Sequence, residues 1–199
     1  MSKPAWHPTA SLQALKARAE LYQQIRQFFA SRNVLEVDTP TLSHGTVTDV
    51  HLDAFSCEFN HSSSGKPETL YLQTSPEFAL KRLLSAYKTC IYQLGKAYRH
   101  EGQGRWHNPE FTMLEWYRVG FDHHALMQEV SDLLKAVLDV PDTETLSYQQ
   151  AFLQYLSLDP LTAKTAEIAA VFNRCNIDLS DDYPIDRDGM LHLPFSYEI

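Results

Sequence analysis

The sequence predicts an α+β domain built around an antiparallel sheet. Two observations carry this prediction: a helical segment is followed by several adjacent strand-like segments and then by helices, and two of those strands form a long hairpin. The strict strand–helix alternation of a doubly wound sheet is absent. With 199 residues, 44% of them hydrophobic, the chain is long enough for one domain with a substantial core.

The first half of the chain predicts two helices separated by short strands. Ser11 can cap a helix that runs to about Arg32, because apolar residues recur there at helical spacing. Ser75, Pro76 and Glu77 predict the start of a second helix: Ser caps, Pro suits the first helical position, and Glu favours the N-terminal dipole. Between the two helices, extended segments are predicted at Val34–Val37, His51–Phe59 and Thr69–Thr74.

Helices dominate the second half. Asp122 can cap a helix that Pro141 ends, and its inward residues are predicted to be Leu126, Val130, Leu133, Leu134 and Val137. Further helices are predicted from Ser147 to about Leu156 and from Thr165 to about Cys175. A last one begins near Asp186, and we expect Pro194 to break it.

The hairpin carries the most specific pattern. Its strands are predicted at Cys90–Glu101 and Glu110–Val119, joined by a glycine-containing loop. Because alternate residues share a face, Arg99 and Glu101 point the same way from the first strand, and Phe111, Met113, Glu115 and Tyr117 share a face of the second. If the two faces coincide, one pocket holds a guanidinium, an aromatic ring and carboxylates. Core strands rarely align groups so costly to bury, and such a pocket suits a ligand with a phosphate, a planar base and an ammonium group.

Composition narrows the function classes. With 17 basic and 25 acidic residues, the net charge of −8 disfavours nucleic acid and acidic membranes as partners. The three cysteines lack metal-ligand or redox spacing, and His123-His124 shows no ligand spacing, so no metal site is predicted. No run approaches the ~20 apolar residues of a membrane span, and we expect a cytoplasmic protein.

The hairpin resembles a known family. The run Arg99-His100-Glu101, followed by His107-Asn108-Pro109-Glu110-Phe111 and Glu115, is similar to motif 2 of the class II aminoacyl-tRNA synthetases in its lysine-type form. The helix from Leu12 with the segment Val34–Pro40 resembles motif 1, and Leu72–Glu77 resembles the segment with which the lysine branch touches its amino acid. The resemblance implies the class II antiparallel sheet flanked by helices and a homodimer through the motif 1 helix. It also implies formation of an aminoacyl-adenylate from ATP, with Mg²⁺ accompanying ATP.

The resemblance also implies roles for individual residues. Arg99 is the expected catalytic residue, because its planar fork can hold the α-phosphate and the substrate carboxylate together. Glu101 would accept a hydrogen bond from the adenine amino group, and Phe111 would stack on adenine. The full ATP-binding set is Arg99, His100, Glu101, Arg105, His107, Asn108 and Phe111. The amino-acid-binding set is Ser75, Pro76, Glu77, Glu115 and Tyr117.

Several of these residues have structural explanations that stay open at this point. Arg99 could form a surface salt bridge, and Glu101 could be a cross-strand partner of a basic residue. Phe111 could be a core residue, His107 a solvated loop residue, and Glu77 a first-turn residue favoured by the helix dipole alone.

The same resemblance also indicates which molecule accepts the activated amino acid. No anticodon-binding barrel precedes motif 1, and Val47–Leu52 and Leu146–Leu153 are similar to a branch of the family that joins lysine or (R)-β-lysine to a lysine of a protein, elongation factor P, and not to tRNA. We expect residues 1–199 to form a catalytic core with motifs 1 and 2 only. The glycine-rich motif 3 with its arginine is absent, so we expect a C-terminal truncation that alone binds ATP weakly. The alternatives are a lysine–tRNA ligase and a non-catalytic paralogue.

Overall fold

The chain forms two compact units, Met1–Asp142 and Thr143–Ile199. The computed structural model describes residues 6–50, 52–61, 63–100, 104–105, 107–138, 140–177 and 186–199, with only the backbone of residues 197 and 198. The expectation that residues 1–199 form one catalytic core stays a prediction.

The first unit alternates helices with short strands before a long hairpin. Its elements are α1 (Leu12–Ala30), β1 (Leu35–Glu36), β2 (Leu42–Ser43), β3 (Ser56–Phe59), β4 (Glu68–Leu72), α2 (Glu77–Tyr87), β5 (Ile91–Tyr98), β6 (Glu110–Tyr117) and α3 (His123–Val137).

The strands form two small sheets. In the first, with the order β1-β5-β6, β5 and β6 are antiparallel as predicted, whereas β1 runs parallel to β5. The second sheet, with the order β2-β4-β3, is antiparallel throughout. The predicted α+β class with antiparallel strands flanked by helices is confirmed, and the structure divides the strands between one antiparallel sheet and one mixed sheet. A strand of two residues such as β1 carries no alternation from which its direction could be predicted.

Helices α1 and α3 cover one face of the β5–β6 hairpin. Phe29 of α1 is fully buried and stacks on Tyr92 with ring centroids 4.4 Å apart, and it also contacts Trp116 at 5.5 Å. Because alternate residues of a strand point to opposite faces, Gln93, Gly95 and Ala97 of β5 and Phe111, Met113 and Glu115 of β6 face away from these helices. The packing therefore leaves the other face of the hairpin for a site.

The helix caps follow local chemistry. The side chains of Ser11 and Asp122 accept hydrogen bonds from backbone N–H groups three residues later, as predicted for N-caps. Helix α2 begins one residue later than predicted, at Glu77, with Pro76 as its N-cap residue. Ser75 still accepts a hydrogen bond from the Glu77 N–H at 3.1 Å, so it satisfies a donor of the first turn.

Helix α3 buries Leu133 and partly buries Leu126, Leu134 and Val137, as predicted, but it departs from the prediction at Val130. Val130 is 36% exposed, whereas Glu129 and Ser131 are 4% exposed and Leu133 is buried as predicted. The difference has an electrostatic cause. Arg118 lies 3.2 Å from the Glu129 carboxylate, and the Trp116 indole N–H donates to it at 3.1 Å, so the charged residue is drawn inward.

The second unit is helical. Its elements are α4 (Tyr148–Ala151), a π-helical stretch (Phe152–Leu156), α5 (Thr165–Cys175) and α6 (Arg187–Glu198), packed around the fully buried Phe152 and Ile168. The prediction that Pro194 breaks the last helix is wrong, because α6 continues through it. Pro194 is fully buried, and this burial offsets the lost backbone hydrogen bond. No helix in the described residues is long and apolar enough to span a membrane.

Candidate active site

A cavity of about 440 Å³ lies on the hairpin face that α1 and α3 leave uncovered. Its walls come from β6, from Arg99 directly after β5, from the start of α2 with the preceding Ser75, and from the segment between β2 and β3. The lining residues are Val47, Thr48, Asp49, Leu52, Ser75, Glu77, Phe78, Arg99, Met113 and Glu115.

The hairpin register explains why distant residues meet in this cavity. Ala97 pairs with Phe111 and Gln93 pairs with Glu115, and the Arg99 N–H extends the ladder by donating to the Pro109 carbonyl at 3.0 Å. Directly paired residues of an antiparallel ladder point to the same face. The prediction that Arg99 shares a face with Phe111 and Glu115 is therefore confirmed. Glu101, predicted to share that face, lies outside the described residues.

The side chain of Arg99 has a buried, unsatisfied hydrogen-bond donor. Its Nε is buried and has no hydrogen-bond partner in the part of the chain that the structure describes, and its Cζ lies 5.2 Å from the centroid of the Phe111 ring. Leaving a buried donor unpaired costs about 1–3 kcal/mol, more for a charged group. Arg99 is consequently suited to an anionic acceptor in the cavity, such as a phosphate or a carboxylate.

Glu115 is held by a donor on each carboxylate oxygen. The Ser75 hydroxyl donates to Oε2 at 2.8 Å, and the Tyr117 hydroxyl donates to Oε1 at 2.6 Å. Burial raises the pKa of Tyr117 above its usual value, helped by its hydrogen bond to Glu115 and by the negative charges of Glu115 and Glu77. Tyr117 therefore stays a donor and orients Glu115. It is not among the cavity-lining residues, so its predicted contact with the substrate stays a prediction.

Glu77 lies both in the first turn of α2 and in the lining of the cavity. It lies in the first turn of α2, where a carboxylate is favoured by the helix dipole, and it pairs with Lys81 one turn later. It also lines the cavity, together with Asp49 and Glu115. Three carboxylates and one arginine among the described lining residues make the cavity net negative, which suits a ligand with cationic amines and an anionic end.

Five described residues of the predicted ATP-binding set lie outside this lining. One of them, Phe111, is next to it, with its ring centroid 5.2 Å from Arg99 Cζ. His100 is exposed, its N–H donates to the Asp53 carbonyl at 2.8 Å, and its ring contacts Phe55 at 4.8 Å. The other three, Arg105, His107 and Asn108, are exposed in the hairpin loop. Their roles, like the role of Pro76 at the start of α2, stay predictions.

The structure adds residues that sequence reasoning did not assign to the site. Val47, Thr48, Asp49 and Leu52 come from the segment between β2 and β3, and Phe78 comes from α2. The segment carries no chemical pattern of its own, although part of it contributed to the family resemblance. Three of the four buried side-chain atoms without a hydrogen bond in the described part belong to Arg99 or to residues adjacent to the lining, namely Thr46 and Thr74. Of these, only the Arg99 Nε belongs to a residue that lines the cavity, where it favours a polar ligand.

The resemblance to the synthetase family also implies Mg²⁺ bound together with ATP. Within the described ranges, no three His, Cys, Asp or Glu side chains come together as a group that could hold a metal ion. In nucleotide enzymes Mg²⁺ is commonly held through substrate phosphates and water.

Comparison with known proteins agrees with the architecture. Residues 7–181 match the model of the family described as tRNA synthetases class II (D, K and N). The chain is 54% identical over 201 residues to the elongation factor P–(R)-β-lysine ligase of Vibrio cholerae, covering 100% of this chain and 61% of that relative. The ligases of the same name from Vibrio vulnificus and Yersinia pestis are 53% and 50% identical, each aligned with 96% of this chain and 59% of the relative.

The chain thus spans about 60% of the length of the curated relatives it matches. Those relatives are ligases, and the matched family covers most of this chain, including both hairpin strands and every cavity-lining residue. The chain belongs to the class II tRNA synthetase family of the aspartate, lysine and asparagine type.

Proposed function

We propose that this cavity binds ATP together with lysine or (R)-β-lysine, forms the aminoacyl-adenylate, and delivers the aminoacyl group to a lysine of elongation factor P. The observation that carries the proposal is that one cavity is lined both by Arg99, whose buried Nε lacks a hydrogen bond, and by Glu115, whose carboxylate is held by two donors. The relatives named as ligases of this kind support the acceptor.

Arg99 supplies the positive charge that adenylate formation needs. An amino-acid carboxylate attacks the α-phosphorus of ATP, a new C–O–P bond forms, and pyrophosphate leaves with the electrons of the broken P–O bond. Negative charge accumulates on the phosphorus oxygens during this step, so a fixed guanidinium stabilises the transition state. Phe111, in contact with Arg99, offers a flat face on which adenine would stack. No step is assigned to Mg²⁺.

Glu115 and Glu77 are proposed to bind the amines of the amino acid. Glu115 accepts hydrogen bonds from Ser75 and Tyr117, and its remaining lone pairs are available to an ammonium group. Asp49 adds a third carboxylate to the lining. Lysine and (R)-β-lysine each carry two ammonium groups and one carboxylate, which match a net-negative cavity with one arginine.

Transfer needs a neutral amine as nucleophile. The ε-amine of an acceptor lysine attacks the carbonyl carbon of the adenylate, the C–N bond forms, the C–O bond to phosphate breaks, and AMP leaves while the amine loses a proton. A tRNA hydroxyl would react in the same way, and the family match favours aminoacylation of tRNA as the second candidate. The net charge of −8 disfavours it.

Pyrophosphate exchange tests the activation step. The protein, as its gene encodes it, is incubated with ATP, labelled pyrophosphate and either (R)-β-lysine or α-lysine, and the label entering ATP is counted. Glu115→Gln should lower exchange at limiting amino acid by roughly tenfold to a hundredfold, because a charge-assisted hydrogen bond is lost. The matched control is Glu110→Gln on the same strand, where the carboxylate is half-exposed and pairs with Lys96 at 2.6 Å.

The acceptor is then identified by transfer of the labelled amino acid. Label appearing on elongation factor P supports the proposal, and label appearing on tRNA instead favours the second candidate. If neither amino acid drives exchange in the wild-type protein, the non-catalytic alternative stands and the proposal fails.

We also propose that the protein is a homodimer through α1. Leu12 and Leu15 are 68% and 52% exposed near the start of this helix, and an apolar groove of about 490 Å³ runs between α1 and the hairpin, lined in part by Leu21 and Leu94. Leu15→Glu should shift the protein to a monomer in sedimentation velocity, whereas Gln13→Glu on the same helix should not. A monomeric wild-type protein would refute this proposal.

A further inference from the structure

Two buried glutamines join the segment after β1 to the strands that carry the site. Gln93 on β5 is 2% exposed, and Gln73, directly after β4, is 9% exposed. Neither lines the cavity, and neither belongs to the residues proposed above to bind ATP or the amino acid. Glutamine is seldom fully buried without a specific hydrogen-bond role, so both side chains call for an explanation.

Gln93 receives two hydrogen bonds from one residue. The Thr39 N–H and the Thr39 hydroxyl both donate to Gln93 Oε1, at 3.1 and 2.8 Å, and Thr39 itself is 7% exposed. These contacts lie just beyond the last ladder bond between the β1 segment and β5, from the Val37 N–H to the Tyr92 carbonyl. The amide group of Gln93 is therefore fixed in orientation by a residue 54 positions earlier in the chain.

The Gln93 side chain also lies over Gly95, at strand positions whose partners line the cavity. A Cβ atom placed on Gly95 would come within 3.0 Å of Gln93 Nε2 and 3.4 Å of Gln93 Cγ, so the side chain crosses the space above Gly95. Gly95 pairs with Met113 and Gln93 pairs with Glu115, both of which line the cavity. A movement of the Gln93 amide would consequently be transmitted to the carboxylate end of the site.

Gln73 holds the same segment from the other side. Its N–H donates to the Thr41 carbonyl at 2.8 Å, its side-chain Nε2 donates to the Gly45 carbonyl at 2.8 Å, and its carbonyl accepts from the Tyr98 N–H at 3.0 Å. Two residues later, Ser75 donates to Glu115. Both glutamines thus connect residues 39–45 to the two sides of the Ser75–Glu115 contact.

We infer that Gln93, pinned by Thr39, is a positioning residue that sets the orientation of Glu115 and hence amino-acid binding, while the phosphate end of the site at Arg99 is unaffected. The inference rests on the proposed function for its consequence, but the positioning itself is a property of the fold. Arg99 lies six ladder positions beyond Gln93, next to the hairpin loop, and no hydrogen bond joins it to Thr39 in the described part of the chain.

The enzymatic test compares Michaelis constants in pyrophosphate exchange. Gln93→Met keeps the side-chain length but removes the acceptor, so the KM for the amino acid should rise about tenfold or more. The KM for ATP and kcat should stay within about twofold, because the loss weakens ground-state and transition-state binding of the amino acid equally. Gln149→Ala is the control, a partly buried glutamine of the second unit with one hydrogen bond, to Asp159.

If Gln93→Met folds poorly, variants of Thr39 test the same contact between Thr39 and Gln93. Thr39→Val removes the hydroxyl donor and should raise the same KM by a smaller factor, whereas Thr39→Ser keeps both donors and should behave as wild type. The double variant Thr39→Val/Gln93→Met should match Gln93→Met alone, since both changes break one contact. Equal rises in both KM values, or additive effects of the two changes, would overturn the inference.

Hydrogen exchange separates this inference from the proposed function. In Gln93→Met, the amides of residues 113–117 and 73–77 should exchange at least about tenfold faster than in wild type, with little change in α5. If these amides loosen but the wild-type protein activates no amino acid, the positioning holds and the proposed function falls. If their exchange is unchanged, the inference falls whatever the kinetics show.

Discussion

Replacing Glu129 with alanine should strongly destabilise the first unit. The Glu129 carboxylate is 5% exposed and lies 3.2 Å from Arg118 Nε, whose side chain is 11% exposed, and the Trp116 indole N–H donates to it. Arg32, 32% exposed and 3.8 Å away, is solvated enough to need little compensation. Glu129→Ala therefore leaves Arg118 as an uncompensated buried charge, a loss that costs about 3–5 kcal/mol. The total free energy of unfolding of a typical domain is about 5–15 kcal/mol.

The measurement is urea unfolding followed by tryptophan fluorescence. All three tryptophans lie before residue 143, so the signal reports the first unit alone. The matched control is Asp132→Ala on the same helix, where a 40% exposed carboxylate lies 3.6 Å from Arg32 and should contribute no more than about 1 kcal/mol. A loss of less than about 1 kcal/mol for Glu129→Ala, or equal losses for both variants, would refute the reasoning.

Burial, the hydrogen bond to Glu36 and the charge of Glu36 raise the pKa of Tyr92 from 10.0 to about 12. The unfolded chain therefore loses its proton first, and stability should fall by up to about 2 kcal/mol as pH rises from 10 to 12. Urea midpoints measured across that range check this, and Tyr92→Phe should flatten the decline. Gly95→Ala should push the Gln93 amide aside and raise the amino-acid KM as Gln93→Met does, and an unchanged KM would argue against the tight contact. Ser147→Ala removes a capping box and should cost about 1 kcal/mol in calorimetric unfolding of the second unit, without moving the tryptophan transition.

Features set by neighbours in sequence could be predicted from the chain alone. The caps at Ser11 and Asp122 depend on a side chain and an N–H three residues apart, and α5 has the predicted bounds Thr165–Cys175. The shared face of Arg99 and Glu115 followed from strand alternation and a hairpin, both local. The chemistry of these residues therefore pointed to the cavity before its shape was known.

Features set by distant contacts could not be predicted. Glu129 is buried because Trp116 and Arg118 meet it from another element, and nothing in the α3 periodicity indicates those partners. Pro194 stays helical because a core forms around it. The cavity wall formed by Val47, Thr48, Asp49 and Leu52 has no sequence pattern that distinguishes it from an ordinary loop, since its position depends on contacts such as that between Gln73 and Gly45.

Arg99 is the proposed anion-binding group of the cavity, and adenylate formation there depends on it. Its Nε–H resonance can be followed by ¹H–¹⁵N NMR while a non-hydrolysable lysyl-adenylate analogue is added. Arg118 Nε, also buried without a hydrogen bond but ion-paired to Glu129, provides an internal control. We expect the Arg99 resonance to shift with ligand concentration and the Arg118 resonance to stay in place. A saturating analogue that leaves Arg99 unmoved, or that shifts both resonances alike, would contradict the proposed role of Arg99.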